Sequence, residues 1–139
     1  MRQNQATLTV KTTGRGFVEI TDRVRGVVKA SGVRTGLVVI FVRHTSCSLA
    51  IQENADPAAR GDMERFLEKL APEGDPAYAH TAEGPDDSPS HLRALVTRTS
   101  ETIPISGGDL ALGTWQGIYL CEHRARHHER SLMVHVVGE

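Results

Sequence analysis

The side chains best suited to chemistry fall in three polar segments of the 139-residue sequence. In the first, His44, Ser46 and Ser48 alternate with other residues, so a regular strand would place all three on one face. An imidazole titrates near neutral pH, which makes His44 a candidate acid or base, although a lone strand histidine is also often structural. Cys47 would point to the core on the opposite face, where a buried thiol is inert.

The first segment continues into residues 52–56, which carry four polar side chains between a predicted strand and a predicted helix. Asp56 is suited to capping the helix that begins at Pro57, and Asn54 is suited to shaping the turn. Neither of these structural roles needs Glu53. Glu53 is therefore the better candidate for general acid–base catalysis or for a metal-binding carboxylate.

The second segment runs from His80 to His91 and combines two histidines with three carboxylates. Carboxylate oxygens and neutral imidazole nitrogens are natural ligands of divalent cations. Asp86 and Asp87, together with the two histidines, therefore predict a metal site. Their spacing matches no standard metal motif, and a solvated acidic loop with helix caps is the alternative interpretation.

The third segment begins at Thr114 and Gln116 and continues through Glu122 to a stretch with three arginines and three histidines. Strand alternation places Thr114, Gln116 and Glu122 on one face and packs Trp115 on the other. Guanidinium groups bind phosphate through paired hydrogen bonds, so Arg124 and its neighbours are candidates for phosphate recognition. A solvated hairpin tip is the alternative.

Predicted strands and helices position these segments without a regular alternation between the two. Period-two or continuously apolar patterns predict strands at 7–12, 17–20, 37–42, 44–52, 102–105, 109–112, 114–121 and 131–137. Helical spacing predicts helices at 21–31, 57–71 and about 88–96. We expect 7–12 and 17–20 to form a hairpin and 37–42 to be covered on both faces. This order predicts an α+β fold with packed, largely antiparallel β-sheets and two to three short helices.

Two of the predicted helices have apolar stripes that should face the core. The stripe of the second helix includes Phe66, Leu67 and Leu70, and that of the third, capped by Ser88 or Ser90, follows 92–96. Residues 75–89, between these helices, are rich in Pro, Gly and Asp and are long for a loop in a compact domain. Such loops are usually functional or disordered, so we look there first for a site.

Composition restricts the classes of function. A hydrophobic fraction of 39% with 13 glycines fits one globular domain over residues 1–139. Sixteen Lys and Arg against seventeen Asp and Glu give a net charge of −1, which argues against nucleic acid as a partner. No apolar run approaches the ~20 residues of a membrane span, and no apolar signal core begins the chain, so we expect a cytoplasmic protein without a membrane partner. Common nucleotide-binding motifs are missing, and we expect no organic cofactor.

Read together, three blocks of the sequence resemble the YjbQ family. The blocks are His44-Thr45-Ser46-Cys47-Ser48-Leu49 with Gln52-Glu53-Asn54-Ala55-Asp56-Pro57, then Glu83-Gly84-Pro85-Asp86-Asp87-x-Pro89-x-His91, and then Gly113-Thr114-Trp115-Gln116 with Glu122-His123-Arg124. The resemblance covers nearly the whole chain. One departure is Ser88, which stands where a methionine is common.

The resemblance implies a compact α+β homotrimer with clefts near the subunit boundaries. It also implies a secondary thiamine-phosphate synthase, which joins hydroxymethylpyrimidine diphosphate to thiazole phosphate and releases pyrophosphate. Such a reaction needs the leaving diphosphate neutralised, normally by Mg²⁺ and cationic side chains. The catalytic residues implied are His44, Glu53, His91 and Glu122. The implied substrate-binding residues are Thr45, Ser46, Asn54, Thr114, Gln116 and Arg124, with Arg126 as a further phosphate contact.

Two other functions fit the same residues. One is a metal-dependent hydrolase or transferase acting on another phosphorylated metabolite, with Zn²⁺ or another transition metal held by His80 or His91 and Asp87. The other is a non-catalytic trimeric protein that binds a small phosphorylated ligand. All three interpretations expect a small phosphorylated metabolite as the partner.

Overall fold

The computed structural model describes residues 1–139, which form eight strands and three helices. In chain order these are β1 (Arg2–Thr12), β2 (Gly16–Glu19), α1 (Thr21–Ser31), β3 (Gly36–Val42), β4 (Cys47–Glu53), α2 (Pro57–Leu70), α3 (Asp87–Val96), β5 (Ser100–Ser106), β6 (Asp109–Leu110), β7 (Gln116–Glu122) and β8 (His128–Gly138). Every strand pair is antiparallel. The predicted α+β class with antiparallel sheets and short helices is confirmed.

The strands form two sheets, with the orders β1-β8-β3-β5-β6 and β2-β7-β4. The predicted hairpin between the first two strands is wrong, because β1 pairs with β8 and β2 pairs with β7. β1 is 11 residues long and is paired along its whole length by the equally long β8, whereas the four-residue β2 offers far fewer hydrogen bonds. β1 therefore forms more hydrogen bonds with β8 than it could with β2, and the two consecutive strands belong to different sheets.

The inward faces of both sheets and one face of α1 enclose a single hydrophobic core. The strand predicted at 37–42 is present as β3, where Val38, Ile40 and Val42 alternate inward and join Val24 and Val28 of α1 in the core. Burial of these aliphatic side chains is the main stabilising contribution. α2, the longest helix at 14 residues, and the two shorter ones lack the length and apolar character needed to cross a bilayer.

The outer face of β3 is open, so the prediction that this strand is covered on both faces is wrong. Leu37 and Phe41 are 44% and 47% exposed, because no element of the chain crosses that side of the sheet. The helix stripes are also largely uncovered: Leu67 is buried, but Phe66 is 64% exposed and Leu95 is 78% exposed. A single chain thus presents several apolar surfaces to its surroundings.

Trp115 is 63% exposed, so the prediction that it packs inside is wrong. β7 begins only at Gln116, and Trp115 belongs to the connection before it. The strand predicted from residue 44 likewise begins later, at Cys47, so residues 43–46 form a loop. Both differences arise because residue alternation continues past the point where the backbone leaves the sheet.

α2 and α3 differ in whether the side chain at the N-cap accepts a hydrogen bond from a backbone amide of the first turn. Asp56 caps α2 as predicted, since its Oδ1 accepts a hydrogen bond from the Ala58 amide at 2.9 Å. α3 begins at Asp87, earlier than the predicted cap at Ser88 or Ser90, and the side chain of Asp86 at its N-cap makes no capping bond. That carboxylate turns instead to Arg124 and to the Ala125 amide.

A buried ion pair joins β7 of the small sheet to β8 of the large one. The Arg130 guanidinium donates two hydrogen bonds to Glu122, with Nε 2.7 Å from Oε2, and the two side chains are 4% and 0% exposed. Thr12 Oγ1 and the Arg124 amide also donate to this carboxylate. Burial alone would raise the pKa of Glu122, but the bonds from Arg130, Thr12 and Arg124 outweigh it and hold the pKa below its usual 4.5.

We expect Glu122→Gln to lower the free energy of unfolding by about 3–5 kcal/mol at pH 7, because it leaves Arg130 buried without its counter-charge. The folded-state pKa of Glu122 is depressed, so the stability it contributes is present above pH 4.5 and is lost as the pH falls through the folded-state pKa. The gap between the wild type and the variant should therefore close in acid. Urea denaturation at several pH values measures it, and Glu129→Gln, at an exposed position of β8, is the control. An equal loss in both variants would contradict the assignment.

Candidate functional site

The predicted metal residues converge on Asp87, the first residue of α3. Its side chain is 6% exposed, and Oδ2 lies 2.6 Å from His80 Nε2 and 3.1 Å from His91 Nε2. His91 is one helical turn further along α3 and so faces the same side, whereas His80 comes from the loop 71–86. One ligand atom from each of the three residues lies within 4.8 Å of the others.

The orientation of His91 is set by the backbone of the loop 43–46. Its Nδ1 is 2.9 Å from the Thr45 carbonyl oxygen, which can only accept, so Nδ1 carries the hydrogen and donates. Nε2 then faces the Asp87 carboxylate, and a proton or a metal cation must lie between these two atoms. A backbone carbonyl that accepts from the second ring nitrogen is the usual support of a metal-ligating histidine.

Arg124 fixes the other side of Asp87. Its Nη1 donates to Asp87 Oδ1 at 2.6 Å, and its Nε donates to Asp86 Oδ2 at 2.9 Å. Nη2 donates to the Glu83 carbonyl at 3.1 Å. The guanidinium that we expected to contact substrate phosphate is therefore engaged by the protein itself, and its effect is to orient two carboxylates.

Both aspartates are held in the charged form. Burial would raise the pKa of Asp87, but hydrogen bonds from His80 and His91 and the charge of Arg124 outweigh it and lower the pKa. Burial has the same opposing effect on Asp86, whose pKa is lowered by the Ala125 amide and by Arg124. The centre therefore supplies negative charge toward a cation at neutral pH.

His44 lies beside this centre in a fixed neutral form. Its Nε2 accepts a hydrogen bond from the Ser131 amide at 2.8 Å, so the ring proton is on Nδ1. Burial, and next the charge of Arg130, lower the pKa of His44. His44 borders a cleft of about 560 Å³ together with Thr45 and His91. There it can donate a hydrogen bond from Nδ1, while its basic nitrogen is already engaged.

Thr45 and Ser46 act here through their carbonyl groups. Thr45 is exposed and its carbonyl orients His91, whereas the Ser46 carbonyl accepts from the His123 amide and from Arg130 Nη2. The loop 43–46 is thereby attached both to the candidate site and to the buried ion pair. This attachment keeps the carbonyl of Thr45 in place for His91.

Four other predicted site residues lie at the opposite end of the small sheet. The register of β4 and β7 pairs Cys47 with Glu122 at one end and Glu53 with Gln116 at the other. Six strand positions correspond to about 20 Å, because β4 is a regular strand throughout. Within one chain the single pocket expected from the resemblance is therefore divided, and Glu53, Asn54, Thr114 and Gln116 are remote from the His91 of the same chain.

The residues at that remote end form local structure. Both Glu53 carboxylate oxygens accept from the Asp56 amide at 3.2–3.3 Å, and Gln116 Oε1 accepts from the Gly113 amide at 2.8 Å. Asn54 Nδ2 donates to Glu19 Oε2 at 3.3 Å, and Thr114 is exposed. The hydrogen bonds of Glu53 and Gln116 shape the turns that lead into α2 and β7.

A buried contact between a serine and a histidine side chain lies too deep to meet a substrate. Ser48 Oγ is 2.8 Å from His123 Nε2, and the two residues are 1% and 3% exposed. Burial, and next the charge of Arg93, lower the pKa of His123 to about 4, so the ring is neutral. Thr97, at the end of α3, donates to Ser48, which ties the helix that carries His91 to β4.

The cysteines are inert, as expected for Cys47. Cys47 and Cys121 are both buried and unpaired, and burial raises the pKa of each thiol to about 12. A thiol with so high a pKa is not a nucleophile at neutral pH.

Glu122 and Arg130 have positioning roles that sequence reasoning did not assign. Glu122, expected to be catalytic, is buried with both oxygens engaged, and it reaches the site only through the Arg124 amide. A sequence signal for Arg130 existed, because it falls in phase with Leu132, Val134 and Val136 on the buried face of β8. A charged residue in that phase needs a buried partner.

Comparison with known proteins places the chain among relatives of the same length and fold. The family model described as UPF0047 protein YjbQ-like matches residues 6–139. A UPF0047 protein of Synechocystis sp. is 51% identical over 138 residues, covering 99% of this chain and 94% of the relative. The UPF0047 protein YjbQ of Salmonella typhimurium is 44% identical, covering 97% and 98%.

Solved structures agree with this relationship. An uncharacterised conserved protein of the YjbQ/UPF0047 family from Clostridium acetobutylicum matches with a TM-score of 0.87 and 37% identity, over 95% of this chain and 99% of that one. A protein from Sulfolobus solfataricus, described as YbjQ-like and of unknown function, matches with a TM-score of 0.86 and 26% identity, over 99% of both chains. The chain belongs to the YjbQ-like UPF0047 family.

Proposed function

We propose that this protein is a metal-dependent enzyme that acts on a small phosphorylated metabolite at the centre formed by His80, Asp87 and His91. The observation that carries the proposal is the orientation of His91, whose Nδ1 donates to Thr45 and whose Nε2 faces Asp87 Oδ2. Two imidazoles and one carboxylate suit Zn²⁺ and other transition metals. Mg²⁺ prefers oxygen ligands, so these donors favour a transition metal over the Mg²⁺ that the resemblance implies.

The residues around the centre support this function by holding the ligands rigidly. Asp87 and His91 stand on one face of α3, Arg124 occupies the second oxygen of Asp87, and the Thr45 carbonyl holds the ring of His91. A metal bound there would polarise a phosphoryl oxygen or activate a water molecule. Three protein ligands leave coordination positions open, as in catalytic rather than structural zinc sites.

The specific reaction to examine first is thiamine-phosphate synthesis, which the family resemblance implies. Both of its substrates are phosphorylated, and the bond that breaks releases a diphosphate whose charge must be stabilised. The exposed imidazole of His80 and the Nδ1–H of His44 face clefts of about 450 and 560 Å³ beside the centre. Hydrolysis or transfer on another phosphorylated metabolite would use the same groups.

A homotrimer is the assembly that we propose, again following the resemblance. The open outer face of the large sheet supports self-association, because Leu37 pairs with Val137 and Phe41 pairs with Met133 across β3 and β8. An apolar strip on a sheet face is a common site of protein–protein contact.

Metal binding is the most direct measurement. We expect the purified protein to bind one Zn²⁺ per chain, and Asp87→Asn and His91→Ala to weaken binding by at least ~100-fold because each removes a ligand. Arg124→Gln should weaken it by ~10–100-fold through loss of orientation. Isothermal titration calorimetry measures the affinities, with His127→Ala, at an exposed histidine, as the control. Equal affinity in all five proteins would refute the site.

Measurements of turnover show which end of the small sheet carries the active site, the end near His91 or the end at Glu53. With Zn²⁺, Mn²⁺ or Mg²⁺ and the two purified thiamine precursors, or with a panel of phosphorylated metabolites, we expect His91→Ala to lose at least ~100-fold in kcat/KM. Glu53→Gln should lose less than ~2-fold, because Glu53 lies about 20 Å away along the strand. The reverse pattern would move the site to Glu53. Tight metabolite retention without turnover in any assay would favour a binding protein.

Sedimentation equilibrium tests the trimer. We expect a mass three times the 15.2 kDa of the chain, and a lower mass for Phe41→Asp because a charge on the outer face of β3 cannot be desolvated in an interface. Phe66→Asp, on α2, is the matched comparison. A monomeric wild type, or dissociation by Phe66→Asp alone, would contradict the proposed face.

A further inference from the structure

A polar cleft adjoins the metal centre and is larger than the other clefts described above, at about 710 Å³. Arg15 from the β1–β2 connection and Glu73 from the residues after α2 form one side of it. The loop 82–86 and residues 124–126 of the β7–β8 connection form the other side. Four separate parts of the chain thus enclose it.

The cleft and the candidate centre are close neighbours. Arg124 and Asp86 line the cleft, and the same guanidinium contacts Asp87. Gly84 and Pro85 also border the 450 Å³ cleft that contains His80, so the two clefts meet at these residues. Gly84 has a φ of 101°, and a Cβ there would lie 3.3 Å from Asp86 Oδ1. Because glycine has no side chain, the backbone here does not project a group between the two clefts. One ligand can therefore extend from His80 toward Arg15.

The charged groups of the cleft differ in how firmly they are engaged. Arg124 is held by Asp86 and Asp87, as described above. Arg15 Nη1 donates to Glu73 Oε1 at 2.8 Å, but these side chains are 32% and 39% exposed, and an ion pair so open to water is easily exchanged. Arg126 is exposed and forms no ion pair in this structure.

The formal charges in the cleft balance, because Glu73, Glu83 and Asp86 offset the three arginines. An anionic ligand must therefore displace one of these carboxylates from its arginine, because the cleft has no excess positive charge to attract it. Glu73 is the carboxylate that a ligand can displace, since its only ion pair is with Arg15 and both side chains are more than 30% exposed. The contact from Arg15 Nη1 to Glu73 Oε1 also shows that this guanidinium is placed to donate to an anionic oxygen.

We infer that the cleft binds a phosphate or diphosphate group of the substrate between Arg15 and Arg126, and that this group displaces Glu73. The inference rests on the proposed function and deepens it: the substrate carries an anionic group remote from the one at the metal centre. Guanidinium groups bind such oxyanions through paired hydrogen bonds, which gives direction as well as attraction. The proposed substrate therefore lies across Gly84 and Pro85.

Calorimetric titration of the chelator-treated protein with inorganic pyrophosphate at low ionic strength tests this site, since pyrophosphate would otherwise complex the metal. We expect Arg126→Gln and Arg15→Gln each to weaken binding by about tenfold, as for loss of one charge-assisted contact. Glu73→Gln should tighten it several-fold, because it frees Arg15. Arg65→Gln, on α2 and paired with Asp62, is the matched control and should bind as the wild type does.

The opposite signs expected for Arg15 and Glu73 separate anion binding from a structural role, since damage to the fold would weaken binding in both. Absence of saturable pyrophosphate binding by the wild type, or weaker binding by Glu73→Gln, would overturn the inference. His91→Ala should lose the metal but keep pyrophosphate affinity. Loss of metal binding is thus tested in His91→Ala, whereas loss of pyrophosphate binding is tested in the variants of Arg15, Arg126 and Glu73.

Discussion

The buried pair of Glu122 and Arg130 is the constraint from which the geometry of the candidate site follows. Two charges removed from water are tolerated only when every hydrogen bond is satisfied, and here Thr12 and the Arg124 amide complete the set. Satisfying Glu122 fixes the backbone of Arg124 where β7 ends. From there the Arg124 guanidinium reaches Asp87, so the position of this carboxylate in the candidate site depends on an interaction in the core.

Local features of the sequence were sufficient wherever the deciding contacts are close in sequence. The cap at Asp56, the helix that follows it and the strand around Val38 depend on near neighbours, and these predictions are confirmed. His91 and Asp87 are four residues apart, so a helix alone brings them to one face, and only His80 needed the loop to fold back. The metal site itself stays a prediction.

Predictions that depended on distant partners were the ones that were wrong. The family resemblance implied that Glu53 and His44 serve one reaction, but neither it nor the alternation of residues shows that a straight strand separates them, with Cys47 paired to Glu122 at one end. It also could not show that β1 has a longer partner than β2, or that the outer face of Phe41 lacks a cover within one chain. Each of these outcomes is decided by residues far away in sequence, and the periodicity of a segment contains no information about such distant partners.

The engaged groups also indicate where a substrate can bind. Nε2 of His44 accepts from a backbone amide, Arg124 is surrounded by protein acceptors, and Glu122 is fully satisfied. Breaking these bonds would cost more than a ligand contact returns, because buried polar groups would be left unpaired. The groups that remain accessible are the Nδ1–H of His44, the imidazole of His80 and the guanidinium of Arg126. Under the proposed function, a substrate would meet the His80 imidazole and the Arg126 guanidinium on either side of Gly84, and the Nδ1–H of His44 in the neighbouring cleft beside His91.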